Sequence, residues 1–95
     1  MATYEESIEL LNQTHSFPQP VMIKVLGWNR QQFEQRVVRI VQTHLQLESD
    51  PEFRVRLSKS EQHIAVTVEP TFQNAEQVLS LYKAICELDD LLMVM

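Results

Sequence analysis

The stretch 53–69, FRVRLSKSEQHIAVTVE, decides the fold. Phe53, Val55 and Leu57 alternate with Arg54, Arg56 and Ser58; Ile64, Val66 and Val68 alternate with Ala65, Thr67 and Glu69. Such alternation turns successive side chains to opposite faces of a strand, so each run has one apolar face. The four residues from Lys59 to Gln62 are the right length for a hairpin loop between them. Parity puts Phe53 with Val55 and Leu57 in the core. A lone hairpin is marginal in water, so the cover must come from the flanking sequence.

Upstream, Asn29 is a good N-cap with Gln32 three residues on, and Phe33, Val37, Ile40, Val41 and His44 follow as one helical stripe. This helix fades near Leu45 into the acidic loop Glu48-Ser49-Asp50-Pro51. Before it, Val21 to Leu26 reads as a strand ended by Gly27, with Val21, Ile23 and Val25 on one face and Met22, Lys24 and Leu26 on the other. Residues 3–13 read as a further helix, with Tyr4, Ile8 and Leu11 on one side and Thr3 and Glu6 at capping-box spacing. Phe17-Pro18-Gln19-Pro20 stops it. Downstream, Pro70 ends the hairpin and Asn74 caps a helix with Gln77 at the box position. Val78, Leu81, Tyr82, Ile85 and Leu88 form its stripe, Asp89-Asp90 breaks it, and Leu91 to Met95 supplies a last strand.

After the first helix the order is β-α-β-β-α-β. Helices with one apolar stripe and strands with one apolar face close most simply as an α+β, ferredoxin-like sandwich. Its four strands form an antiparallel sheet of order 4-1-3-2 with both helices on one face. Residues 1–95 form one domain, with residues 1–16 as an N-terminal helical extension. The other sheet face is left open, with Met22, Lys24, Leu26, Arg54, Arg56, Ala65, Thr67 and Glu69 as its members. It reads as neither clean solvent surface nor clean core.

Composition narrows the classes. Eight basic against 13 acidic residues leave a net charge of −5, which disfavours nonspecific affinity for nucleic acid or anionic membrane. The bases are concentrated: residues 21–60 hold seven of them against four acids. The single cysteine, Cys86, excludes a disulfide within the chain and fits a reducing, cytoplasmic setting. No apolar run reaches the ~20 residues that span a bilayer, and the acidic start lacks the basic opening of a signal peptide.

Residues 17–95 resemble the YbeD-like family of small bacterial proteins of unknown function. The carrying features are Phe17-Pro18, Lys24-Val25-Leu26-Gly27, Val38, Ile40-Val41 and His44, then Ser58-Lys59 and Val66-Thr67-Val68. Glu76-Gln77-Val78, Leu81-Tyr82 and the terminal Met93-Val94 complete the match. The resemblance implies a ferredoxin-like fold similar to the ACT regulatory domains, which bind small effectors and often pair edge to edge. It implies no enzymatic activity, and a regulatory role. The chain departs from the family in its longer N-terminal helix and in its hairpin. There it carries Ser60, Glu61 and then His63, where a glycine and an aromatic are common.

No catalytic or metal constellation appears. His15, His44, His63 and Cys86 are far apart and form no CxxC or HxxxH unit. His44 reads as a core-stripe residue near a helix C-terminus, and His63 as solvent-facing beside the hairpin. Cys86 reads as a small, partly buried hydrophobe with no base to activate it. Glu87, Asp89 and Asp90 read as a solvated turn. An RNA-binding sheet stacks bases on aromatic residues of its central strands, and the open-face positions here hold none. Gly27 is the only glycine and Trp28 the only tryptophan. A lone glycine between strand and helix supplies positive φ or admits a close neighbour, so Gly27, Trp28, Asn29 and Arg30 form the candidate ligand site. The free amides of the helix start would receive a small carboxylate there.

The sequence thus leads to a non-catalytic regulatory or protein-interaction domain needing no cofactor or metal. Its partner is another protein, or itself in a homodimer. The alternatives are an ACT-like sensor of amino acids or carboxylates and, behind it, an RNA-binding domain. The expected interaction surface joins Tyr4, Ile8 and Leu11 of the first helix to Met22, Lys24, Leu26, Arg54 and Arg56. Either the N-terminal helix lies on the open sheet or two subunits bury that surface together.

Overall fold

A computed structural model describes residues 3–14 and 16–95 of the chain. His15, weighed above as a ligand, lies outside the described residues, as do the side chains of Tyr4 and Leu11. The elements in order are α1 (Tyr4–Thr14), β1 (Gln19–Pro20), β2 (Ile23–Trp28), α2 (Phe33–Leu45), β3 (Phe53–Leu57), β4 (His63–Val68), β5 (Thr71–Phe72), α3 (Ala75–Cys86) and β6 (Leu91–Val94). The long strands form one antiparallel sheet in the order β3-β4-β2-β6. Read from the β6 edge, that is the fourth, first, third and second long strand. The fold is α+β, with an addition to the expected sandwich. A second antiparallel sheet pairs Gln19 with Phe72 and Pro20 with Thr71, and it seats Phe72 fully in the core.

The covered face of the sheet carries Ile23 and Val25 from β2 and Ile64, Val66 and Val68 from β4, all at most 3% exposed. Phe33, Val37 and Val41 of α2 and Val78, Leu81 and Ile85 of α3 close over them. α3 starts as its sequence predicts: the Asn74 side chain accepts from the Gln77 N–H at 2.9 Å. α1 is capped by Thr3, whose Oγ1 accepts from the Glu6 N–H at 3.1 Å. It packs on α3, in the helical layer. The N-terminal helix therefore does not cover the open face.

Several expectations fail for identifiable reasons. The first long strand runs two residues further than predicted, through Gly27 to Trp28, and leaves out Val21, whose N–H bonds the Pro70 carbonyl at 3.1 Å. Gly27 does not adopt positive φ. A Cβ there would fall 2.6 Å from Cε1 of Phe33, so the glycine stays in the strand to admit that ring. Asn29 does not cap α2. Gln31 and Gln32, at φ 53 and 55, carry the chain into the helix in left-handed geometry, and no side chain caps it. His44 is exposed while Val38 is buried, because α2 also packs sideways on α3. Cys86 is exposed as well.

The largest correction concerns β3. Phe53, Val55 and Leu57 pair with Val68, Val66 and Ile64 on the covered side, as parity requires. They nevertheless remain 42%, 39% and 43% exposed. β3 is an edge strand, and the helices pack over β4, β2 and β6. Among the described residues, no helix is long and apolar enough to cross a membrane.

Candidate functional site

Among the described residues, no helix or second sheet covers the face turned away from the helices. Register across the sheet sets Arg54, Thr67, Lys24 and Met95 in one row and Arg56, Ala65, Leu26 and Met93 in the next. The first row is closed by reciprocal backbone bonds between Lys24 and Met95, at 3.0 and 2.8 Å. Between Leu26 and Gly27 the pairing with β6 slips. Leu91 and Val94 pack against the core, while Leu92 and Met93 are both left about half exposed. Met22 and Met95 are each 54% exposed. Leu26 and Ala65 sit with Leu92, Met93 and Arg56 around a shallow, mostly apolar hollow of about 440 Å³.

The charge on this face opposes that of the chain. Lys24, Arg54 and Arg56 are exposed and, among the described residues, join no ion pair. Strands fix their spacing, since side chains two residues apart on one strand share a face.

The expected ligand loop is built differently. Because β2 continues through Gly27, Trp28 falls on the open face opposite His63, their ring centroids 4.6 Å apart. The face therefore does carry an aromatic, and His63 belongs to the strand. The Arg30 guanidinium lies 5.4 Å from the Trp28 ring. The amides expected to be free are engaged: Asn29 N–H bonds the Gln62 carbonyl at 2.8 Å and Arg30 N–H the Trp28 carbonyl at 2.9 Å. The Asn29 side chain donates to the Glu61 carbonyl at 2.9 Å.

Arg30 and Arg36 share a role that spacing did not reveal. Arg30 Nε reaches Asp90 Oδ1 and an Arg36 terminal nitrogen reaches Asp90 Oδ2, both at 2.8 Å. Arg36 also donates to the carbonyls of Gln31, Arg30 and Asp89. The hydrogen bonds from the two arginines hold the Asp90 carboxyl below the usual carboxylate range. Asp90 is thus a clamp between the start of α2 and the turn into β6, not a solvated turn residue.

The expected interaction surface divides. Lys24, Leu26, Arg54 and Arg56 belong to the open face, and Met22 is exposed just before β2. Ile8 is half-buried on α1, in the helical layer. Parity could have placed His63 there, since it matches Ala65. Nothing in the sequence marks the slip that exposes Leu92 with Met93. Among the described residues, no group of three or more His, Cys, Asp or Glu side chains could hold a metal ion.

Comparisons with known proteins bear on this architecture. A family model described as "Protein of unknown function (DUF493)" matches residues 12–95. The chain belongs to that family. No curated protein matches it by sequence. Among solved structures it is similar to the protein HP0495 from H. pylori, at 13% identity and a TM-score of 0.65 over 85% of each chain. It is also similar to the ACT domain of the GTP pyrophosphokinase of Chlorobium tepidum. There identity is 10% and the TM-score 0.58, over 81% of this chain and 97% of that one. At these identities the likeness is one of fold.

Proposed function

We propose that this member of the DUF493 family is a ferredoxin-like regulatory domain that works by binding a protein partner, not by catalysis, through its open sheet face. One observation carries the reading: four large apolar side chains, Met22, Leu92, Met93 and Met95, stand at least half exposed on or beside a face that also presents Lys24, Arg54 and Arg56. Full burial of such a side chain contributes roughly 1.5–3 kcal/mol, so the four half-exposed ones together supply only a few kcal/mol. Association costs at least about 4 kcal/mol in lost freedom. The three cations must then contribute, and the partner surface they fit is acidic with an apolar centre. The ACT-like fold and the lone, exposed Cys86 agree with a regulatory domain in a reducing, cytoplasmic setting.

The test compares proteins retained from a native lysate by the wild type with those retained by Met93→Asp, Lys24→Glu and a control, Lys83→Glu on α3. A partner lost with both open-face variants and kept by the control is then purified and its affinity measured at two salt concentrations. Retention indifferent to the open face ends this reading.

The hollow beside Arg56 favours a second reading. Its apolar lining and single guanidinium suit a small carboxylate with an apolar body. Trp28 meets His63, which lines the hollow, in a tilted ring contact, so its fluorescence would report binding. Titration with apolar amino acids and short-chain carboxylates should saturate, and Arg56→Gln should abolish the response. A flat signal across that panel removes the sensor.

A further inference from the structure

The outer edge of β3 is a second surface left unpartnered. We propose that this edge accepts an extended segment of a partner protein in which acidic and apolar residues alternate, added to the main sheet as a fifth strand. The proposal deepens the protein-binding reading above and rests on it.

Among the described residues β3 pairs with β4 alone, so alternate residues turn their N–H and C=O groups outward with no strand among those residues to receive them. Its register with β4 is unbroken from Phe53 to Leu57. The opposite edge, β6, has four residues and carries the register slip against β2, two features that discourage strand addition. β3 therefore offers the more regular template.

Two side-chain rows on this strand specify the occupant. On the helix side, Phe53, Val55 and Leu57 stay about 40% exposed because β3 is the edge of the sheet among the described residues. An added strand would set its own apolar side chains beside these, within cross-strand contact. On the open side, Arg54 and Arg56 are exposed and, among the described residues, form no ion pair. The position across from each favours a carboxylate. Arginines serving only to guard the edge would account for the open side and leave the three uncovered apolar residues unexplained. A second copy of the chain fits poorly. Antiparallel pairing of β3 with itself about Val55 would set Arg54 opposite Arg56 of the other copy, twice, and like charges directly opposite destabilise a sheet. Backbone bonding gives such a site affinity and the alternating side chains give it specificity.

The experiment uses the full chain, isotope-labelled, titrated with an eight-residue capped peptide of alternating glutamate and valine and with its lysine–valine counterpart. The glutamate peptide should saturate, shift the backbone amide signals of 53–57 and slow their hydrogen exchange. It should bind at least tenfold more tightly than the lysine peptide and weaken as salt is raised. The double variant Arg54→Glu/Arg56→Glu should reverse the preference, while Lys83→Glu on α3 should leave the affinity within twofold. Silence at β3 with both peptides at millimolar concentration overturns the proposal. So does a concentration-dependent dimer whose shifts map to β3, which would give the edge to a second copy. Shifts confined to Lys24, Met93 and Met95 would remove the edge site while leaving the open-face reading in place.

Discussion

Val55 and Val66 lie directly opposite one another on the same face of the same sheet, yet Val66 is fully buried and Val55 is 39% exposed. The strands that carry them alternate in the same way and pair over five residues. What separates them is position. β4 has a strand on each side and a helix above; β3 has a strand on one side and, among the described residues, none on the other. Period two selects the face on which a side chain stands. Burial depends on what else reaches that face, which is settled elsewhere in the chain.

The sharpest way to break this contrast is to put the same charge at both positions. Val66→Asp would strand a carboxylate in the core with no partner, a loss of several kcal/mol from a total of perhaps 5–10 for a domain of this size. It should be largely unfolded by circular dichroism. Val55→Asp can keep its carboxylate in water and should retain a cooperative urea transition, about 1 kcal/mol weaker. Thr67→Asp, on the open face between Arg54 and Lys24, should also stay folded. Equal loss at Val55 and Val66 would mean that β3 is as much core as β4.

A second test approaches the covered face from the other neighbour of β4. Gly27→Val would push two methyl groups into the ring of Phe33, which already lies too close for a Cβ. Overpacking of this kind costs typically 1–3 kcal/mol. Because Gly27 keeps an ordinary φ, the loss is one of space and should be relieved by shrinking the neighbour. In a double-mutant cycle with Phe33→Ala, the two losses should fall short of additive by 1 kcal/mol or more. Strict additivity would assign the loss to the backbone of β2 instead.

These cases show what was legible from residues alone. The identity and order of the long strands, both central helices and the Asn74 cap followed from local patterns, since each signal lies within a few residues of its effect. Most of the open face was legible for the same reason: Lys24, Leu26, Arg54 and Arg56 needed only parity. What failed depended on long-range contacts. Gly27 looked like a strand terminator because the ring that fills its space belongs to Phe33, on the next helix. The place of Trp28 on the open face beside His63 follows only once the strand runs on through Gly27. The bonds from Arg30 and Arg36 to Asp90 span 60 and 54 residues, and no periodicity encodes them.

That clamp gives a third test, because it ties the start of the covering helix α2 to the turn before β6. The Asp90 carboxyl is held below its ordinary range in the folded protein by its two arginines. A depressed acid stabilises the fold above its unfolded pKa, about 3.9, and that contribution fades as pH falls through the lower folded value. Stability followed by urea denaturation should therefore decline below about pH 4 in the wild type. Asp90→Asn keeps a side chain that tolerates the left-handed backbone at φ 71. It should be less stable than wild type at pH 7 and show a shallower acid decline. Parallel pH profiles for the two proteins would show that the clamp does not carry charge-dependent stability.

The smallest expected effect lies in the turn that holds Val55 opposite Val66. Glu61 sits at φ 62 between the two strands, in the region where a Cβ crowds the backbone and glycine does not. Its backbone holds the turn together: its N–H bonds the Ser58 carbonyl at 2.9 Å and its carbonyl accepts the Asn29 side chain. Neither bond uses the Glu61 side chain, so Glu61→Gly should keep both. The relief of strain, about 1–2 kcal/mol, is partly offset by the greater freedom of glycine in the unfolded chain, about 0.4–1 kcal/mol. A net gain of about 0.5 kcal/mol should raise the melting temperature by about 2–4 °C. The amide exchange of β3 should stay faster than that of β4, because a better turn does nothing to cover an edge. If Glu61→Gly instead slows exchange in β3 to the level of β4, then the turn, and not the missing neighbour, is what separates Val55 from Val66.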